Sequence, residues 1–187
     1  MRNDQAVQEK RLVIALQGGH EESEKAFTEL YQYNAQPVYS FILRMTGNVA
    51  VSEDLLQETF IKFYAATRQD LLVTNVRGFL FMIARNLCLN LRRDEHPTVS
   101  IENILIEIEG HHSAIERDEL LNLINHALDL LELDYREAFI LKYYQGYSYK
   151  DMSRLTGDTI PALKNRVWRA KEKIQNTLRP YILELQN

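Results

Sequence analysis

Apolar side chains recur at helical spacing at Phe27, Leu30, Tyr31, Val38, Phe41, Ile42 and Met45, and Gly47-Asn48 ends that run. Ser52-Glu53-Asp54 then opens a second helix carrying Leu56, Phe60 and Phe63. A third helix is predicted from about Val76 to Arg93. Between them, Arg68 to Asn75 is polar at both ends and lacks periodicity, which predicts a loop. From His96-Pro97 to about His112 the pattern weakens. Pro97 cannot continue a helix, Gly110 breaks one, and Ile101, Ile104, Leu105, Ile106 and Ile108 share no single face. Helices return at three cap signatures: Ser113-x-x-Glu116, Asp134-x-x-Glu137 and Ser148-x-x-Asp151. Gly146 and Gly157 sit where helix ends are expected. Four helices follow, at roughly 114–131, 135–145, 149–156 and 161–179. The last two, joined by a short glycine-containing turn, have helix-turn-helix proportions. The expected architecture is all-α, with one helical domain over 1–95, an acidic linker at 96–113 and a second over 114–187.

Composition agrees with two small helical cores. Apolar residues make up 45% of the 187 positions, so wholesale disorder is not expected. Only 7 Gly and 4 Pro, with little alternating Val, Ile or Thr, argue against β architecture. No apolar run approaches the roughly 18 residues of a membrane span, and no signal peptide opens the chain. Cys88 is the one cysteine, which excludes an internal disulfide and fits a reducing cytoplasm.

Charge adds a partner to the picture. The net charge is −4, unusual for a chain that grips DNA unaided, because phosphate neutralisation supplies most non-specific affinity. The distribution is uneven. Between 164 and 179, Lys164, Arg166, Arg169, Lys171, Lys173 and Arg179 stand against Glu172 alone. Between 102 and 119, Glu102, Glu107, Glu109, Glu116, Asp118 and Glu119 stand against Arg117. A basic C-terminal element on an acidic body predicts DNA contact that depends on a partner.

On the helix starting at Pro161, Leu163, Val167, Ala170, Ile174 and Leu178 fall within about 80° of one another at about 100° per residue. They form the predicted buried stripe. Opposite lie Asn165, Trp168, Arg169 and Glu172, flanked by Lys164 and Lys173. Asn pairs with adenine, Arg with guanine, and an aromatic ring can touch a thymine methyl. The lysines suit phosphates, which position rather than specify, and Arg166 of the same basic element is counted with the DNA contacts. A charged face alone is also what any solvated helix presents; the outward tryptophan favours a reader.

In the N-terminal half, Asp54, Gln57, Glu58 and Ile61 share the side of their helix opposite Leu56, Phe60 and Phe63. An isoleucine ringed by carboxylates and an amide has the composition of a protein-docking patch, apolar at its centre and polar at its rim. On the helix through Ile83, Phe79, Ile83 and Leu87 are predicted to face one way, and Phe81, Arg85, Cys88 and Arg92, followed by Arg93, the other. Arginines interleaved with an aromatic suit a nucleic-acid strand, although amphipathic arginines covering apolar surface give the same pattern. The preceding loop, with Arg68, Gln69, Asp70, Thr74 and Asn75, offers a pocket for an extruded base.

These segments carry a resemblance. Asp54-Leu-Leu-Gln-Glu-Thr-Phe60 resembles the D-x-x-Q-E-x-F signature of sigma-70 region 2, and Phe79-Leu-Phe-Met-Ile-Ala-Arg-Asn86 resembles its W-L-x-x-I-A-x-N stretch. Tyr147 through Met152 and Leu163-Lys-Asn-Arg-Val-Trp-Arg-Ala170 are similar to the region 4 pattern S-x-x-E-I-A…V-K-S-R-L-x-R-A. With no room for a large middle domain, the resemblance is to the extracytoplasmic-function (ECF) class of sigma factors. It implies that the chain binds RNA polymerase core and directs it to promoters. Asp54, Gln57 and Glu58, with Ile61 beside them, would dock on the β′ coiled coil. The loop from Arg68 to Asn75 would capture a flipped base of the melted start-proximal element, and Arg85, Arg92 and Arg93 would follow the strand. Lys164, Asn165, Trp168 and Arg169 would read the upstream element. The acidic linker would thread polymerase near the RNA exit path, the β subunit being the further contact, and a cognate anti-sigma factor, often membrane-anchored, would hold the protein inactive. Three positions depart from the pattern: Phe79 stands for the usual Trp, Asn90 for Asp, and Pro161 for Gly at the reader-helix start.

Other classes fit less well. There is no Gly-rich phosphate loop, no His/Cys metal spacing and no nucleophile–base pairing, so no enzyme, cofactor or metal is expected. His111-His112 is an adjacent pair whose rings diverge on most backbones, and Cys88 reads as a small packing residue. A stand-alone helix-turn-helix regulator would need dimerisation and would have to overcome the acidic balance. A helical scaffold leaves the outward Trp168-Arg169 pair without a purpose.

Overall fold

The computed structural model describes residues 2–69, 73–94 and 123–184, with side chains over 7–69, 73–91 and 123–181. Among the described residues there is no strand, and the chain divides into two compact units, Met1–Thr98 and Val99–Asn187. The expected linker, the Ser113 cap and the start of the helix after it lie outside the described residues.

The first unit holds α1 (Arg2–Ala15), α2 (His20–Thr46), α3 (Val49–Thr67) and α4 (Val76–Asp94). Helix α2 starts a full turn and more before the apolar run that predicts it, and continues through Pro37. It stops at Gly47, whose φ of 70° lets its N–H reach the Leu43 carbonyl. The next helix begins earlier than Ser52-Glu53-Asp54: Asn48 is the cap, its side chain accepting from the Val51 amide at 3.1 Å. Ser52 is instead buried inside the helix. The α1–α2 turn is tied to the end of α3, because Arg68 donates to the Leu16 and Gly18 carbonyls (3.1 and 3.3 Å) and Gln17 to that of Thr67 (3.1 Å). Leu16, Leu30, Val38, Phe41, Ile42, Phe63 and Leu80 close the core with essentially no exposure.

Helix α4 corrects the expected faces. Phe81 has 0% exposure and its ring lies 5.3 Å from that of Phe41, while Cys88 is also buried. The reason is that α4 packs against both α2 and α3. Its buried arc, from Ile83 through Leu80 and Ala84 to Cys88 and Phe81, therefore spans about 160° rather than one narrow stripe.

The second unit holds α5 (123–129), α6 (Leu133–Phe139), which runs into a π-helical turn at Ile140–Tyr144, α7 (Tyr149–Thr156) and α8 (Ile160–Glu184). Ala127, Leu128, Leu131, Ala170 and Ile174 form its core, with Ile124, Tyr135, Phe139, Tyr144 and Leu178 packed against it. The expected Asp134-x-x-Glu137 box is absent: α6 has no side-chain cap, and Glu137 is buried. Arg136 is buried as well, held to Asp129 by an ion pair at 3.1 Å and by a bond to the Asp129 carbonyl at 2.5 Å. Helix α8 runs beyond the predicted end at residue 179, through Pro180.

Candidate nucleic-acid interface

The pair α7–α8 is assembled by local signals. The Ser148 hydroxyl accepts from the Asp151 amide at 3.2 Å and donates to the Asp151 carboxylate at 2.5 Å, starting α7 as its cap signature predicts. Gly157, at φ 81°, ends it with an N–H bond to Ser153. Two residues on, Thr159 accepts from the Ala162 and Leu163 amides (3.4 and 3.0 Å) and starts α8. Met152 of α7 and Leu163, Val167, Ala170 and Ile174 of α8 are buried, so the predicted stripe is the observed one. A short capped helix, a three-residue turn and a long helix thus share one interior, which fixes which side of α8 looks out.

That outward side carries Lys164, Asn165, Trp168 and Arg169, all exposed, with the indole 54% accessible. The Arg169 guanidinium lies 4.8 Å from the Trp168 ring and 3.3 Å from Glu172. A flat aromatic, a fork of donors and an amide therefore stand side by side, the combination that suits base edges in a major groove. Next to them the Lys142 and Lys164 ammonium groups lie 4.8 and 5.9 Å from the Tyr149 ring. Burial, and secondarily the neighbouring Tyr143, lift the Tyr149 hydroxyl above its ordinary pKa, so it remains a neutral donor between two cations. The sequence reading did not single out Tyr149 and Lys142. Tyr149 opens a capped helix and was open to notice, whereas Lys142 lies in the π turn, where α-helical phase fails.

Arg166 and Lys173 lie elsewhere. Both sit on the flank of α8 that faces the start of α6. Arg166 binds Asp158 at 2.5 Å and Asp134 at 3.2 Å, and Lys173 binds Glu132 at 2.7 Å with its ammonium 4.9 Å from the Tyr135 ring. Neither belongs to the outward group of Asn165, Trp168 and Arg169.

In the first unit, Asp54, Gln57, Glu58 and Ile61 are all exposed on α3, Ile61 at 65%, opposite the buried Leu56, Phe60 and Phe63. Glu58 pairs with Lys62 at 3.3 Å. The expected strand-binding group is not assembled as read. Phe81 is a core residue, and Arg85 is half-buried. Arg68 is engaged with backbone carbonyls, and Asn75 caps α4 by accepting from the Gly78 amide at 2.9 Å. Asp70 and the side chains of Arg92 and Arg93 lie outside the described residues. Exposed on α4 instead are Met82, Asn86 and Asn90, with Arg77, whose guanidinium lies 5.6 Å from the Phe81 ring.

Two sequence families match the chain: Sigma-70 region 2 over residues 30–98 and Sigma-70 region 4 over residues 121–174. The chain is 30% identical over 151 residues to the ECF RNA polymerase sigma factor SigM of Bacillus subtilis, covering 79% of this chain and 91% of that one. It is 30% identical over 167 residues to the RNA polymerase sigma factor CarQ of Myxococcus xanthus, covering 87% and 95%. Its structure resembles that of the sigma factor RpoE in complex with the anti-sigma factor NepR from Bartonella quintana. There the TM-score is 0.66 at 28% identity, over 83% of this chain and 98% of the other.

Proposed function

The chain belongs to the ECF group of sigma-70 RNA polymerase sigma factors, and from that premise we propose how its surfaces serve promoter-directed initiation. The region 2 module, over 1–95, docks on the β′ coiled coil of polymerase core through Asp54, Gln57, Glu58 and Ile61. The region 4 module, over 114–187, reads the upstream promoter element with Asn165, Trp168 and Arg169, while Lys164 takes a phosphate. The segment 96–113 joins them and runs along the β subunit. The observation that carries the reading is the outward face of α8, where an exposed indole and its stacked guanidinium stand beside an amide on a helix whose other side is buried. An internal use for that face would bury Trp168.

The region 2 contacts with the melted strand are proposed for Arg85, Arg92 and Arg93, with Asn75 at the pocket entrance; Phe81 has no part in them. An anti-sigma factor is the proposed negative partner, supported by the likeness to a sigma factor seen with NepR. Membrane anchoring is proposed of that partner, since no described helix of this chain is long and apolar enough to cross a membrane.

A pulldown with polymerase core followed by promoter-dependent run-off transcription tests the whole reading. Asp54→Lys with Glu58→Lys inverts the rim of the α3 patch and should abolish co-purification with core while helicity by circular dichroism is unchanged. Undiminished association would move the docking face elsewhere.

A further inference from the structure

Arg166 is the one cation of α8 whose surroundings are more negative than it is positive. Its Nη1 lies 2.5 Å from Asp158 Oδ2 and its Nη2 lies 3.2 Å from Asp134 Oδ2. The Arg166 side chain is only 25% exposed. Both forks of the guanidinium are thus occupied by carboxylates from different places in the unit: Asp158 from the α7–α8 turn and Asp134 from the first turn of α6. Two turns along the same flank, Lys173 binds Glu132, just ahead of α6, at 2.7 Å. A phosphate brought to Arg166 would meet two anions before one cation, which disfavours it.

We propose that Arg166 is a positioning residue for promoter recognition. By bridging Asp134 and Asp158 it fixes the angle of α8 against α6 and the preceding turn, and so aims Asn165, Trp168 and Arg169. This rests on α8 being the upstream-element reader. A planar fork can hold two carboxylates at once; a lysine ammonium on a flexible stem cannot reproduce that geometry. Lys173–Glu132 acts as a second, weaker anchor, being an exposed single contact.

Positioning and phosphate contact predict opposite signs. The experiment uses holoenzyme reconstituted from the full chain and polymerase core. Its probes are a promoter duplex selected by the wild-type holoenzyme from a pool randomised over the upstream element, and the same duplex with that element scrambled. If Arg166 positions α8, Asp158→Asn lowers discrimination between the two about tenfold, the worth of one base contact, and leaves affinity for the scrambled duplex unchanged. Arg166→Lys does the same although it keeps the charge. The inverted pair, Arg166→Asp with Asp158→Arg, recovers discrimination to within about threefold, because the partners are each other rather than DNA. If Arg166 instead meets a phosphate, Asp158→Asn frees it and tightens binding to both duplexes, and Arg166→Lys discriminates as the wild type does. Either result overturns the proposal. Thermal melting accompanies each variant, and Arg166→Lys decides should Asp158→Asn fail to fold. A wild-type chain that directs no promoter-dependent transcript overturns the functional reading itself; full discrimination in the variants overturns only the role of Arg166.

Discussion

Trp168 keeps 54% of its surface in solvent while Arg169 lies over its ring, so the pair forms a flat, cationic plate on an otherwise ordinary helix. Because the indole supports nothing beneath it, Trp168→Ala should change unfolding free energy by less than about 0.5 kcal/mol. It should cost roughly 1–3 kcal/mol of upstream-element recognition in run-off transcription. Phe81 is the opposite case. Its ring is wholly buried against Phe41, so Phe81→Ala should cost about 3–5 kcal/mol of stability by denaturant melting, with no selective effect on promoter choice. Both aromatics stand beside arginines in the sequence, and only one was read correctly. The face of α8 was legible because a single stripe opposes it. The face of α4 was not, because neighbours on two sides bury an arc too wide for periodicity to resolve. Arg166 and Lys173 illustrate a third limit: a basic residue at the edge of a stripe points to solvent or to a carboxylate, and the carboxylates come from another helix.

At the scale of elements, caps decide where the helices begin, and local chemistry predicts them unevenly. Ser148 and Gly157 do what their residue types suggest. Asp134 and Glu137 match the spacing of a capping box, yet the packing of α6 draws Glu137 inside and leaves the box unmade. Helix α1 was not foreseen at all, since Val7 and Ile14 face outward and blur its apolar stripe. Asn48, read from the sequence as part of a stop signal, both follows that stop and starts α3. Asn48→Ala removes the acceptor for the Val51 amide and should lower stability by about 1 kcal/mol, measured as a shift of the thermal transition. Since α3 also carries the proposed docking patch, the same variant should weaken core binding only as far as the unit itself loosens.

For the whole molecule, the net charge of −4 sets the terms on which DNA is met. A few outward cations on one unit compete with an acidic remainder, so the isolated chain should bind a promoter duplex only weakly, and assembly with polymerase should produce tight, specific binding. Titrating the labelled duplex with the chain alone and with holoenzyme measures this. Nanomolar binding by the chain alone would make it a self-sufficient regulator. The π turn at Ile140–Tyr144 bears on how such a protein tolerates change in length. It stores one residue more per turn than an α-helix, so deleting a residue there would leave a regular and comfortable helix. Everything downstream would nevertheless swing by about 100° around the axis and shift by about 1.5 Å, carrying the whole reading head off its bearing. The segment is forgiving of sequence and unforgiving of count.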